Sequence, residues 1–245
     1  MAFFDLLSAS VLAMLATALG SLLVVFAHRS KMQVYAKMLG FSAGVMSFTA
    51  AELFLQSAPL AGVPAIAAGF ALGVAAIVVL EISLPHAHRL LSKEELGHSR
   101  KKAFLLAGAV TLHNIPEGFS IASAFSLSPA LGWIVAVSIS VQDVVEGFAV
   151  AAPLAFYGLG LRKGVAIGIF SGVVELAAAI AGYFALSYAY SVVPMALAFS
   201  SGCMVFVVLK EMLPDALERA GVWVTLASFL LGVAVAGGVA LFLGF

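Results

Sequence analysis

The amino-acid sequence predicts an all-α, multi-pass membrane protein with eight transmembrane helices arranged as an inverted-repeat bundle. Of its 245 residues, 63% are hydrophobic and 10% are charged, whereas a soluble domain typically carries about 25% charged residues. A helix needs about 20 apolar residues to cross the hydrocarbon core of a bilayer, and eight stretches of the chain qualify. No segment is long enough to form a separate soluble domain, so residues 1–245 are interpreted as a single transmembrane domain.

The eight predicted spans follow one another through short connections. The chain begins Met-Ala-Phe-Phe-Asp, without the basic region of a signal peptide, so the first span is interpreted as a retained helix. Only residues 128–130 join spans four and five, which should therefore be antiparallel neighbours, and Pro153 is expected to kink or end span five early. The predicted bounds are Leu6–Ala27, Met38–Leu55, Val63–Leu84, Ala103–Leu127, Leu131–Tyr157, Val165–Tyr188, Val193–Leu213 and Val222–Phe245.

The positions of the basic residues predict the orientation of the chain. All 12 Lys and Arg residues fall at the connections between spans one and two, three and four, five and six, and seven and eight. Because positive charge is enriched on the cytoplasmic side of membrane proteins, those four connections are placed in the cytoplasm and both termini are placed outside. The connection 85–102 between spans three and four also contains three histidines.

Two polar motifs interrupt consecutive apolar spans. Span four contains Leu-His-Asn-Ile-Pro-Glu-Gly-Phe at 112–119, and span five contains Gln-Asp-Val-Val-Glu-Gly-Phe at 142–148. A charged group at membrane depth costs roughly 3 kcal/mol or more unless it is paired or binds something. The polar residues of the two motifs are His113, Asn114, Glu117, Gln142, Asp143 and Glu146.

The helical spacing within the motifs predicts two adjoining pockets. Residues four apart share a helix face, so the pair His113 and Glu117 can face the pair Gln142 and Glu146 across the two helices. Asn114 follows His113 and Asp143 follows Gln142, so each lies about 100° further around its helix than the residue before it. These two side chains and the same glutamates can form a second, oxygen-only pocket.

A further acid, Glu175, lies near the middle of span six and brings the number of potential carboxylates at this depth to four. Two divalent cations would neutralise four negative charges, and the mixed nitrogen and oxygen donors suit zinc, with iron, manganese and cadmium also compatible. The alternative is a polar network that only holds the helices together. Four acids with no Lys or Arg at the same depth favour the metal site.

Internal similarity predicts an inverted repeat, an architecture in which transporters place their binding site at the midplane of the membrane. Besides the two motifs, Ser42–Phe48 in span two resembles Ser200–Phe206 in span seven, and these two spans run in opposite directions in the predicted topology. The alternative for this second pair is chance recurrence of Gly, Ser and Met in membrane helices.

Several further residues are weaker candidates for metal binding or for the transport pathway. Met46 could add a thioether ligand or simply fill the core. The glutamates near span ends could relay cations, although solvation of these carboxylates at the interface is favoured, and the histidines of the connection 85–102 could capture metal after release or be ordinary loop residues. The candidates are Met46, Glu52, His86, His88, His98 and Glu211, with Glu81 treated in the same way.

The two motifs together resemble those of the ZIP (Zrt/Irt-like) family of divalent-metal transporters, most closely its prokaryotic branch. The resemblance covers essentially the whole chain and rests on His113-Asn114-x-Pro116-Glu117-Gly118 and Gln142-Asp143-x-x-Glu146-Gly147. It implies transport of Zn²⁺ as substrate rather than cofactor, in a prokaryotic inner membrane. It also implies a dimer, in which spans one, four, five and six move against spans two, three, seven and eight.

The resemblance also implies a binuclear metal site between spans four and five. By matching positions, the first site takes His113, Glu117, Gln142 and Glu146, and the second takes Asn114, Asp143, Glu175 and the same two glutamates. The chain departs from the family pattern at three places. Gln142 stands where the family often has His, Val145 where it often has Pro, and Lys210 in a stretch where it has an acidic pair.

Other classes of function are less well supported by the sequence. A metal-dependent intramembrane enzyme is disfavoured because no His-Glu-x-x-His helix is present, and a cation channel built on the same site remains an alternative. The chain lacks a phosphate-binding loop for ATP. Its net charge of zero gives no indication of a nucleic-acid partner, and its single cysteine rules out an intrachain disulfide.

Overall fold

The computed structural model describes residues 2–26, 32–91, 98–157 and 159–244, and within these ranges the chain is helical with no β-strand. The α-helices are α1 Ala2–Leu23, α2 Met32–Ser57, α3 Val63–Leu91, α4 His98–Leu127, α5 Pro129–Tyr157, α6 Leu161–Tyr188, α7 Val193–Val207, α8 Leu213–Ala220 and α9 Val222–Phe242. A π-helical turn, Val208–Met212, joins α7 to α8. Helix α7 and this turn correspond to the seventh predicted span, and α8 continues beyond its predicted end to Ala220.

Seven helical segments in the described part of the chain are long and apolar enough to cross a membrane, namely Phe3–Phe26, Tyr35–Leu60, Val63–Ser83, Pro129–Phe156, Leu161–Tyr188, Tyr190–Ala220 and Val222–Phe242. Helix α4 has 30 residues, but its polar motif lowers its hydropathy. The prediction of an all-helical, multi-pass membrane protein is confirmed. The side of the membrane on which each terminus lies stays a prediction.

The helices extend beyond the predicted spans at several ends. Helix α3 continues to Leu91 and α4 begins at His98, so much of the connection predicted at 85–102 is helical, while 92–97 lies outside the described residues. A helix satisfies its hydrogen bonds internally and need not stop where the membrane ends. Pro153 does not end α5 early, because that helix continues to Tyr157.

The helices form two bundles that meet along a shared interface. Helices α1, α4, α5 and α6 pack together, and α2, α3, α7, α8 and α9 form the second group. The bundles meet mainly where α2 packs on α5 and α4 packs on α7. This is the division of spans that the family resemblance implies, and the two polar motifs lie in the first bundle beside the interface.

Close glycine contacts pair the helices as an inverted repeat requires. Gly44 of α2 abuts the backbone of α9 at Phe229, and Gly202 at the matching position of α7 abuts the backbone of α3 at Phe70. The reciprocal contacts also match, because Gly232 of α9 meets Phe41 of α2 and Gly73 of α3 meets Phe199 of α7. Matching residues of Ser42–Phe48 and Ser200–Phe206 thus make equivalent helix contacts, which chance recurrence of small residues would not produce.

Candidate metal centre

The polar residues of the two motifs and of span six are buried in the bundle. His113, Asn114, Glu117, Gln142, Asp143, Glu146 and Glu175 are each at most 5% exposed. A buried polar group is costly unless a partner compensates it, so the contacts of these side chains indicate what the site can bind.

Two glycines bring the motif helices against their neighbours. Gly118 follows Glu117 and abuts the backbone carbonyl of Glu175 on α6, whereas Gly147 follows Glu146 and abuts the carbonyl of Thr17 on α1. A side chain at either glycine would overlap that backbone, so these positions allow the close approach of the helices. The first of these contacts places Glu175 beside the motif of α4.

Asn114 strengthens the same contact between α4 and α6. Its Nδ2 atom donates to the backbone carbonyl of Ser171, 3.2 Å away and one turn before Glu175 on α6. The Oδ1 atom of Asn114 is buried and has no hydrogen-bond partner. The amide is therefore anchored through its nitrogen and keeps its oxygen free to bind a cation.

Three carboxylates converge between α4 and α5. Glu117, Asp143 and Glu146 each offer one oxygen, and these three atoms lie within 4.8 Å of one another. Zinc binds carboxylate oxygens at about 2.0–2.2 Å, so two ligands of one ion lie about 3 to 4 Å apart. Small side-chain adjustments would therefore bring all three oxygens onto a single ion.

The same region contains an excess of buried oxygen acceptors. The carboxyl group of Glu175 adjoins that of Asp143. The buried oxygens without a hydrogen-bond partner include Oδ1 of Asn114, Oε2 of Glu117, Oε1 of Gln142, Oδ1 and Oδ2 of Asp143, and Oε1 and Oε2 of Glu175. Because buried acceptors are normally paired, this concentration of free oxygens is the donor set that a divalent cation would satisfy.

The two motif helices make a direct contact through Gln142. Its Nε2 atom donates to Oε1 of Glu117 at 2.6 Å, so Glu117 and Gln142, two of the four side chains that were predicted to face each other across α4 and α5, do so. The contact fixes the orientation of Glu117 and leaves Oε1 of Gln142 available to a metal ion.

Ser42 is a contact that the sequence interpretation missed. Its Oγ atom donates to Oε1 of Glu146 at 3.1 Å, and Ser42 is fully buried. Ser42 lies on α2 in the second bundle, so this hydrogen bond crosses the interface between the bundles. The sequence pointed to Ser42 only as the start of the internal repeat, where a role in packing was the obvious interpretation.

His113 lies in a different group from the one the spacing predicted. Its Nε2 atom is 3.4 Å from Oε1 of Glu211, and atoms of Glu81, His113 and Glu211 lie within 4.8 Å of one another. The imidazole still interacts electrostatically with Glu146. His113 therefore connects the three-carboxylate pocket to a second group, Glu81, His113 and Glu211, which we call the outlet group.

The π-helical turn Val208–Met212 accounts for the outlet group. A π turn adds one residue to a helical turn, which changes the direction of the side chains and often marks a functional site. Within it, Glu211 contacts His113 of α4, and Lys210 contacts Glu81 of α3 at 3.0 Å. The side chains of Glu81 and Glu211 are partly buried, at 19% and 29% exposure, and their interpretation as solvated interfacial carboxylates stays a prediction.

The remaining candidates lie apart from these groups or cannot be placed. Met46 belongs to the hydrophobic core, one turn beyond Ser42 on α2. Glu52 accepts a hydrogen bond from Gln56 at 2.9 Å. The side chains of His86, His88 and His98 lie outside the described residues.

Sequence comparison agrees with the family resemblance of the two motifs. A family model described as "ZIP Zinc transporter" matches residues 81–245, which include both motifs, Glu175 and the outlet group. The chain belongs to the ZIP family.

Named relatives in the ZIP family cover most of the chain. It is 30% identical over 228 residues to the zinc transporter ZupT of Stenotrophomonas maltophilia (strain R551-3), covering 86% of this chain and 85% of that protein. ZupT of Nitratidesulfovibrio vulgaris is 32% identical over 83% of this chain and 84% of its own length. The zinc transporter GufA of Myxococcus xanthus is 34% identical over 61% of this chain and 60% of its own length.

Proposed function

We propose that this protein carries Zn²⁺ and related divalent transition-metal ions across a membrane toward the cytoplasm. The observation that supports this function most directly is the convergence of Glu117, Asp143 and Glu146 in the interior of a membrane helix bundle. Membership in the ZIP family and the zinc-transporter relatives support the same substrate. The metal ion is the substrate, and the protein acts as a transporter rather than as an enzyme.

The buried donors provide for two ions that share ligands. In this proposal Glu117 and Glu146 bridge the two, with Gln142 completing one site and Asn114, Asp143 and Glu175 completing the other. All of these side chains except Glu146 have a buried oxygen without a hydrogen-bond partner, which supports the assignment. His113 would bind at the first site only after turning from Glu211. A donor set with one imidazole and many oxygens fits Zn²⁺ and also admits Cd²⁺, Fe²⁺ and Mn²⁺.

The contacts across the bundle interface suggest how the ions would move. Ser42 binds Glu146 and Glu211 contacts His113, so each bundle contributes one partner to each contact. A rocking of the first bundle against the second would break and re-form these contacts and expose the pocket to alternate sides. Alternating access of this kind is our proposal for the transport cycle.

The outlet group gives the proposed route a direction. His113 precedes Glu117 by four residues on α4, or about 6 Å along the helix, toward the end that the basic residues place in the cytoplasm. Metal would pass from the three-carboxylate pocket to His113 and then to Glu81 and Glu211. In the same proposal the protein lies in a prokaryotic inner membrane, which the bacterial origin of the ZupT relatives supports. It also forms a homodimer, as the family resemblance implies.

Transport by purified protein in liposomes tests the proposal. Liposomes containing wild-type protein and an internal zinc-sensitive dye should show saturable uptake, and the double substitution Glu117→Ala with Glu146→Ala should abolish it. Glu218→Ala, which removes an exposed acid of α8, is the matched control and should transport normally. Uptake that survives the double substitution would contradict the proposed site. Flux at ion-channel rates without saturation would favour a channel instead.

A further inference from the structure

A lysine side chain lies beside the outlet group. Nζ of Lys210 is 3.0 Å from Oε2 of Glu81, while the other oxygen of Glu81, Oε1, is buried and has no hydrogen-bond partner. Glu81 therefore has a cation on one oxygen, and its carboxyl group also adjoins that of Glu211. Glu81 and Lys210 both belong to the second bundle, whereas His113 belongs to the first.

The ammonium group of Lys210 is able to leave Glu81. Its side chain is 57% exposed, and the pairing of an exposed ammonium group with a carboxylate is weakened because water competes for the ammonium group. Nζ also lies 5.3 Å from the ring centroid of Phe206, one turn back on α7. An aromatic face stabilises a cation at this distance, so Lys210 has a second favourable environment when it gives up the carboxylate.

Lys210 also changes the charge that a metal ion meets in the outlet group. When both are ionised, Glu81 and Glu211 supply two negative charges, and Lys210 offsets one of them. Without the lysine, a divalent ion would face two uncompensated carboxylates and the His113 imidazole, whose Nε2 lies 3.4 Å from Oε1 of Glu211. Such a group would bind zinc tightly, and tight binding at the last step would slow release.

We propose that Lys210 is an internal cation that competes with the transported metal for Glu81 and thereby speeds release of the metal from the outlet group. The inference rests on the proposed function and adds to it a residue that sets the release rate. Metal arriving from His113 displaces the ammonium group from Glu81, and the return of the ammonium group expels the metal. No covalent change is involved.

Zinc binding to the full-length protein in detergent tests this role independently of transport. The parent for this measurement carries Glu117→Gln, Asp143→Asn, Glu146→Gln and Glu175→Gln, which remove all four carboxylates of the buried pocket and leave the outlet group as the remaining site with carboxylate ligands. Adding Lys210→Met should lower the dissociation constant for Zn²⁺ roughly tenfold, since a removed charge a few ångströms from the ion changes affinity by about that factor at a partly exposed site. Lys210→Arg keeps the charge and should bind as the parent does.

Two controls separate this effect from a general change in charge or stability. Lys163→Met removes an exposed lysine at the start of α6 and should leave the dissociation constant unchanged. Only variants that elute as a single species on size-exclusion chromatography are compared. If Lys210→Met does not meet this criterion, Lys210→Gln takes its place. A dissociation constant for the Lys210 variant within twofold of the parent, or equal tightening by Lys163→Met, would overturn the proposal.

Transport in otherwise wild-type protein gives the second measurement. Lys210→Met should lower the maximal uptake rate severalfold, and Lys210→Arg should preserve it. An unchanged maximal rate in Lys210→Met would overturn the role in release while leaving the transport function intact. Absence of uptake by wild-type protein would instead contradict the proposed function, and the binding measurement would still decide whether Lys210 competes for Glu81.

Discussion

Gln142 of α5 donates a hydrogen bond to Glu117 of α4, with 2.6 Å between Nε2 and Oε1. This contact joins the two motif helices at the centre of the buried pocket. The nitrogen of Gln142 thus orients a carboxylate, while its Oε1 has no hydrogen-bond partner. In our proposal this oxygen binds metal at a position where the family often has His.

Replacing Gln142 with histidine should raise the preference for zinc. The imidazole would supply a second nitrogen donor, which suits Zn²⁺ better than Mn²⁺. We expect the ratio of Zn²⁺ to Mn²⁺ uptake to increase several times in Gln142→His, measured by competition in liposomes. Gln142→Leu, which keeps the approximate size and offers no donor, is the control and should raise KM for both ions. An unchanged ratio in the His variant would show that residue 142 does not contact the metal.

Removing the hydroxyl of Ser42 should shift the balance between the two states of the transporter. A hydrogen bond to a charged group contributes about 1.5 to 3 kcal/mol, and the Ser42 bond to Glu146 crosses between the bundles. In Ser42→Ala, the equilibrium should shift by about tenfold or more toward the state in which this contact is absent. Labelling of single cysteines introduced at the two mouths of the pocket would detect the shift. Ser47→Ala is the control, because Ser47 donates to Ala43 within its own helix. Equal labelling patterns in the two variants would argue against a contact that stabilises one state.

Alanine at Gly118 should destabilise the first bundle. Its new methyl group would overlap the carbonyl of Glu175, and overpacking of this kind costs about 1 to 3 kcal/mol. We expect a lower melting temperature in detergent and weaker metal binding, since Glu175 would be pushed away. Gly238→Ala, where nothing lies within 4 Å, should melt like the wild type. A normal melting temperature for Gly118→Ala would mean that α4 and α6 are not packed this closely.

His113 and Glu211 should depend on each other in transport. Because Nε2 and Oε1 of the pair are 3.4 Å apart, a double-mutant cycle of His113→Gln and Glu211→Gln should show an interaction free energy above about 0.5 kcal/mol. The comparison uses initial uptake rates at low zinc. Additive effects of the two substitutions would instead place His113 with the buried pocket alone, as the helical spacing suggested.

The motif spacing was sufficient to predict that Glu117 of α4 and Gln142 of α5 face each other. Four-residue periodicity placed Glu117 opposite Gln142, and the structure brings these side chains into contact. The all-helical membrane fold followed from composition and from the length of the apolar runs. These features depend on local periodicity, which one sequence contains in full.

The contacts made by distant helices could not be derived in the same way. The position of Glu211 depends on a π-helical turn, which has no simple sequence signal, and so the partner of His113 was missed. The role of Ser42 depends on how α2 packs on α5 across the bundle interface. Serine recurs in membrane helices for packing reasons alone, so nothing in its local sequence distinguishes it.

The most direct test of the account is a structure of the zinc-loaded protein with anomalous scattering measured at the zinc absorption edge. We expect an anomalous peak bounded by Glu117, Asp143 and Glu146, between α4 and α5. A well-resolved zinc-loaded structure with no peak between these two helices would contradict the account.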